Sequence, residues 1–200
     1  MPRSKKAFDA MRESTRQKIE SAALSLFARK GLSVTINEIA RAGGLSQGLL
    51  YSHYTSKDAL IAELVRQAVG ISGKCIQEVA QSDATALVKI RQTTSMMFQM
   101  FADHHMGIDY FMFMIQVGMS GFQMPDTALY TPDLPNPVDS FAQVLSQGQT
   151  EGTVVDGDPI QLAAIYWATI QGLCCHAITG MPLSPNPKML NRIVLKEKFL

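Results

Sequence analysis

"TINEIARAGGLSQGLLYSHYTSKDAL", Thr35–Leu60, sets two short helical patterns on either side of a Gly-Gly pair. The first opens at Thr35, and Glu38 three residues on makes a capping box. Ile36, Ile39 and Ala40 give that helix one apolar face. Gly43-Gly44 ends it, because glycine accepts the backbone angles of a tight turn. Ser46 is a good N-cap for a second helix reaching to about Tyr54. That helix is too short to be stable alone. Packing must hold it, through Leu49 or Leu50 against Ile39 and Ala40. Tyr51, His53 and Tyr54 then fall within four residues, just before Lys57. Another helix opens at Thr55-Ser56 and runs on through Leu60, Leu64 and Val65.

Upstream, Met1 to Arg12 reads as a loose basic arm. A helix is expected from Ser14, with Gln17 completing a capping box. Ile19, Ala22, Ala23, Leu26 and Phe27 form its apolar face, and Gly31 stops it. Charge is uneven along the chain. Met1–Arg66 holds eleven Lys/Arg against six Asp/Glu, and the remainder seven against eleven, so +5 and −4 sum to the net +1. A basic first third suits contact with a polyanion.

Two short helices joined by a Gly-bearing turn are the helix-turn-helix plan, whose second helix enters the major groove by its N-terminal end. Here that end is Ser46, Gln47, Gly48 and Leu49. Gln47 can contact adenine in a bidentate manner, and Gly48 permits close backbone approach. Leu49 can touch a thymine methyl if Leu50 faces the core. Tyr51, His53 and Lys57 carry donors for phosphate oxygens on one side, and Thr35 with its helix start on the other. Tyr54 reads instead as a core aromatic with a polar tip.

"AALSLFARKG", "TINEIARAGGLS", "GLLY" and "SKDAL" stand in an order and spacing that resemble the DNA-binding domain of the TetR/AcrR family of bacterial transcriptional regulators. The resemblance covers about a quarter of the chain. It implies an all-α homodimer: a three-helix helix-turn-helix domain (1–60) with a basic arm, then a helical ligand-binding and dimerisation domain (61–200). It also implies DNA contacts from Thr35, Ser46, Gln47, Gly48, Tyr51, His53 and Lys57. Tyr54 stands where the family usually has phenylalanine, adding a hydroxyl that needs a partner. His53 stands where the family often has tyrosine.

The remainder reads helical. Ala86–Phe101 and Ile108–Gly118 are apolar, and eight methionines lie between Met96 and Met124. Methionine is over-used where a surface adapts to varied apolar partners. Met97, Met100, Phe101, Phe111, Met114, Tyr166 and Trp167 are the candidate lining of a pocket for a small apolar or aromatic effector. The other reading of each is ordinary core. Asn136-Pro137 and Asp158-Pro159 each read as a cap with proline at the first helical position. The resemblance makes the helices near 137–149 and 159–178 the dimer-forming pair. Ala163, Ala164, Ala168 and Gly172 offer small residues for close contact. The apolar stripe of the second runs through Ile160, Ala163, Ala164, Trp167, Cys174 and Ile178.

Three cysteines, two adjacent, are no disulfide framework and suit a reducing cytoplasm. No apolar run approaches the roughly 20 residues that span a bilayer, so no membrane partner is expected. Asp103-His104-His105 and Cys174-Cys175-His176 are too closely spaced to converge on a metal from one helix. Nucleophile-elbow, P-loop and dinucleotide motifs are missing, so neither an enzyme nor a cofactor is expected. The expectation is a repressor released from a palindromic operator by its effector. An activator of the same family remains open, as does a small-molecule binding protein or all-α enzyme that no longer binds DNA.

Overall fold

The structure is a computed structural model that describes residues 5–102, 106–124, 135–179 and 186–200, with side chains excepted at 100–102, 106 and 177–179. The described helices are α1 (Lys5–Lys30), α2 (Ile36–Ala42), α3 (Gln47–His53), α4 (Lys57–Gln81), α5 (Ala86–Ala102) and α6 (Met106–Ser120). After them come α7 (Pro137–Thr150), α8 (Pro159–Thr179), α9 (Pro187–Asn191) and a 3-10 turn, Glu197–Phe199. Among the described residues there is no strand, only one antiparallel bridge between Val154 and Leu195. The fold is all-α.

Two compact units emerge. The first is Met1–Val65 with Phe113–Asp126, and the second is Arg66–Met112 with Thr127–Leu200. The division between these units falls inside α4, between Val65 and Arg66. The second half of α6 also joins the first unit, a return of chain that local sequence has no way to signal.

In the first unit Ile19, Ala23, Leu24 and Phe27 of α1 are buried with Ile39 of α2, Leu50 of α3 and Leu60, Ile61 and Leu64 of α4. Phe113 stacks on Phe27, centroids 6.0 Å apart. The expected start at Ser14 is corrected, since α1 is already helical at Lys5. Lys5–Glu13 contains no breaker and several strong helix formers, so the helix propagates outward from its packed half. Ser14 therefore lies within the helix, and Thr15 Oγ1 donates back to Met11 O at 3.0 Å.

In the second unit α7 and α8 pack together over a core of Ile90, Met97, Phe141, Leu145, Tyr166, Trp167 and Ile170. Both expected proline starts form. Asn136 Oδ1 accepts from Val138 N at 2.9 Å, and Asp158 Oδ1 from Ile160 N at 2.8 Å. The stripe on α8 needs correcting. Ala163, Trp167 and Cys174 are buried, whereas Ile160, Ala164, Ile165, Ala168 and Gly172 are exposed. Ala163 thus serves the core, and the small residues on the outer face are Ala164, Ala168 and Gly172.

Candidate functional site

The turn into α3 is built from backbone hydrogen bonds. Leu45 N donates to Ala40 O at 2.8 Å and Gly44 N to Arg41 O at 3.2 Å, closing α2. Gly44 takes φ +65°, the left-handed conformation this closure requires. Ser46 Oγ then accepts from Leu49 N at 3.2 Å and starts α3. Leu50 is fully buried, which turns the rest of the leading edge outward: Ser46, Gln47, Gly48, Leu49 and Tyr51 are all exposed, and His53 is half-buried.

Two residues expected at phosphates also make hydrogen bonds within the protein. Thr35 N donates to Glu38 Oε2 at 2.9 Å and Thr35 Oγ1 to the same oxygen at 2.8 Å, while Glu38 N reaches Thr35 Oγ1 at 3.3 Å. The capping box is complete, with the Thr35 hydroxyl hydrogen on Glu38 Oε2. These bonds hold the Glu38 carboxyl below the usual carboxylate range, the backbone donor contributing most. Lys57 Nζ donates to Leu32 O at 2.7 Å and to Val34 O at 3.4 Å, tying the start of α4 to the loop before α2. An ammonium has three donors, so one is left.

Tyr54 is buried, and its hydroxyl donates to Glu20 Oε1. The same oxygen accepts from Arg16 Nη1 at 2.9 Å. Burial first, then the Glu20 hydrogen bond, pushes the Tyr54 phenol well above its ordinary range. Glu20 is thus the partner that the extra hydroxyl required. The sequence carried a trace of it, as an acidic residue beside Ile19 on the buried face of α1.

In the second unit, Met97 and Tyr166 are buried within the core, Trp167 is 7% exposed, and Phe111 is half-buried. Phe111 and Trp167 stack with centroids 6.4 Å apart. Tyr166 lies 4.5 Å from Phe141 and edge-on to Trp167 at 6.1 Å. The structure brings Met97, Phe111, Tyr166 and Trp167 into one unit but assigns Met114 to the other. The side chains of Met100 and Phe101, and residues Asp103, His104 and His105, lie outside the described residues. The sequence did not single out Thr94 and Asn191. Tyr166 Oη and Thr94 Oγ1 lie 2.7 Å apart, and Thr94 reaches Asn191 Oδ1 at 2.5 Å. Burial pushes the Cys174 thiol up to about 12.

The first unit of this all-α chain carries a braced helix-turn-helix. Residues 19–64 match the family described as bacterial regulatory proteins, tetR family, in line with the resemblance to the TetR/AcrR family. It is 28% identical over 93 residues to the HTH-type transcriptional repressor KstR2 of Mycobacterium tuberculosis, 46% of each chain. The chain spans about a third to a half of the length of the curated relatives it matches. Two solved structures share its fold over most of its length. One is the complex of triclosan with SmeT, the repressor of the Stenotrophomonas maltophilia efflux pump SmeDEF (TM-score 0.65, 18% identity, 94% of each chain). The other is an ArpA-like gamma-butyrolactone receptor (TM-score 0.69, 20% identity, 94% of this chain and 91% of that one).

Proposed function

We propose that the chain is a DNA-binding transcriptional repressor, homodimeric through α7 and α8, released from a palindromic operator by a small apolar or aromatic effector bound in the second unit. The observation that carries this is the register of α3: Leu50 is buried, and Ser46, Gln47, Gly48, Leu49 and Tyr51 face out together. Gln47 and Leu49 read base edges, and Tyr51 and His53 hold phosphates. Thr35 and Lys57 act by fixing the start of α2 and the loop before it. A homodimer presents two copies of α3 to half-sites one helical repeat apart. Effector and operator weaken each other's binding by linkage if each prefers a different conformation of the dimer.

Footprinting on DNA upstream of the chain's own coding region, at several salt concentrations, tests this. Affinity should fall steeply with salt, as it does when phosphates are neutralised. Gln47→Ala should relax preference at one base pair, at a cost of about 1–3 kcal/mol. Binding insensitive both to salt and to Gln47→Ala would leave a helical small-molecule binder without a DNA role.

A further inference from the structure

Trp167 is the chain's single tryptophan. It is 7% exposed, and its Nε1 is buried without a hydrogen-bond partner among the described residues. Thr93 Oγ1, on α5 of the same unit, is likewise buried and unpartnered. Several other buried polar groups of this unit are paired. Lys89 Nζ donates to Ala80 O at 2.8 Å and to Gln147 Oε1 at 2.9 Å, and Tyr166 Oη meets Thr94 Oγ1. A buried donor left unmade forfeits the hydration it had in the unfolded chain. A buried donor left unpartnered beside paired groups is a candidate contact for a bound molecule.

We infer that the effector is a neutral, largely apolar molecule that presents a hydrogen-bond-accepting oxygen to Trp167 Nε1. This rests on the effector reading above and adds the effector's chemistry. An indole N–H can only donate, so the complementary atom is an acceptor. The rings of Phe111, Phe141 and Tyr166 already engage the indole, which leaves its N–H edge as the unspent polar feature. Neutrality follows from charge. An anion buried here would need a cation, and the buried Lys89 is committed to two acceptors. A cation would face the positive edge of the indole.

A single tryptophan gives a single indole N–H signal in the nitrogen-15-labelled protein, so the test reads this atom directly. The probes are 2-acetylnaphthalene, 2-ethylnaphthalene and 2-naphthoate, which share a ring system and differ in a ketone, a methylene and a carboxylate. The ketone should raise the melting temperature, move the indole signal downfield and bind about tenfold more tightly than the ethyl compound, the factor one net hydrogen bond supplies. Trp167→Phe keeps an aromatic ring and removes the donor. It should abolish that tenfold preference, so that the ketone and the ethyl compound bind the variant within about twofold of each other, because the smaller ring affects both alike and only the ketone loses a hydrogen bond. Equal affinity for ketone and ethyl compound, a preference that survives in Trp167→Phe, or tighter binding of naphthoate would overturn the inference while leaving an effector site intact. If all three leave both the indole signal and the melting temperature unmoved, the effector reading falls with it. The wild-type indole signal decides the matter even if the variant folds poorly.

Discussion

Tyr54 illustrates what one atom demands. Phenylalanine would fill the same space, and the added hydroxyl has to find an acceptor inside the first unit, which Glu20 provides while also receiving Arg16. The need for a partner was legible in the sequence, but its identity was not, because Glu20 lies 34 residues away. Cys174 shows the opposite case, a group silenced by its surroundings. Its burial raises the thiol to about 12, so the thiolate that acts as nucleophile is scarce at pH 8. Iodoacetamide at pH 8 should therefore label the half-buried Cys75 in the native protein and spare Cys174 until the chain is unfolded, as peptide mass spectrometry would show. Labelling of Cys174 at the rate of Cys75 would contradict the burial described for it.

At the scale of elements, the capping box of α2 makes a prediction with a sign. Glu38 is held below its ordinary value, so its contribution is present above the unfolded carboxylate range and is lost as pH falls through the lower folded value. Melting temperature should thus fall from about pH 5 downward, and Thr35→Ala should flatten part of that fall. At neutral pH the same change should cost about 1 kcal/mol by chemical denaturation. The end of α7 depends on close approach. A Cβ at Gly148 would lie 2.3 Å from Val154 Cγ2 and 3.1 Å from Ala86 Cβ. Gly148→Ala should destabilise the second unit by about 1–3 kcal/mol, read as a lower denaturation midpoint, because a packed neighbour must move. The caps at Thr35, Ser46, Asn136 and Asp158 were all legible, since each is a short-range pattern of side chain and amide. The start of α1 was not, because an exposed helix end rests on propensity and on the packing further along it.

For the whole molecule, the outer face of α8 is the feature with the largest consequence. Ile160 and Ile165 are 48% and 54% exposed beside Ala164, Ala168 and Gly172, an apolar face with small residues that suits a second copy of the helix. Ile165→Glu should convert the proposed dimer to monomer in sedimentation equilibrium and weaken operator binding, with the helical circular dichroism unchanged. A wild-type chain that sediments as a monomer at micromolar concentration would remove the basis for two coordinated half-sites. The uneven charge, +5 over Met1–Arg66 against −4 beyond, belongs to this scale too: under the proposed function it should draw the basic third toward DNA at a rate that salt depresses.

The sequence by itself determined the helix-turn-helix, its caps and turn, the all-α class and the family resemblance, because these rest on patterns a few residues long whose spacing is set by helical geometry. It also marked Leu49 and Leu50 as alternatives for the core without choosing between them. Only the tertiary structure chose Leu50, gave Lys57 to two carbonyls, paired Tyr54 with Glu20 and left Trp167 Nε1 without an acceptor. Each of those outcomes depends on which groups, distant in the chain, are packed side by side, and a buried polar atom is satisfied or orphaned by neighbours that local sequence does not name.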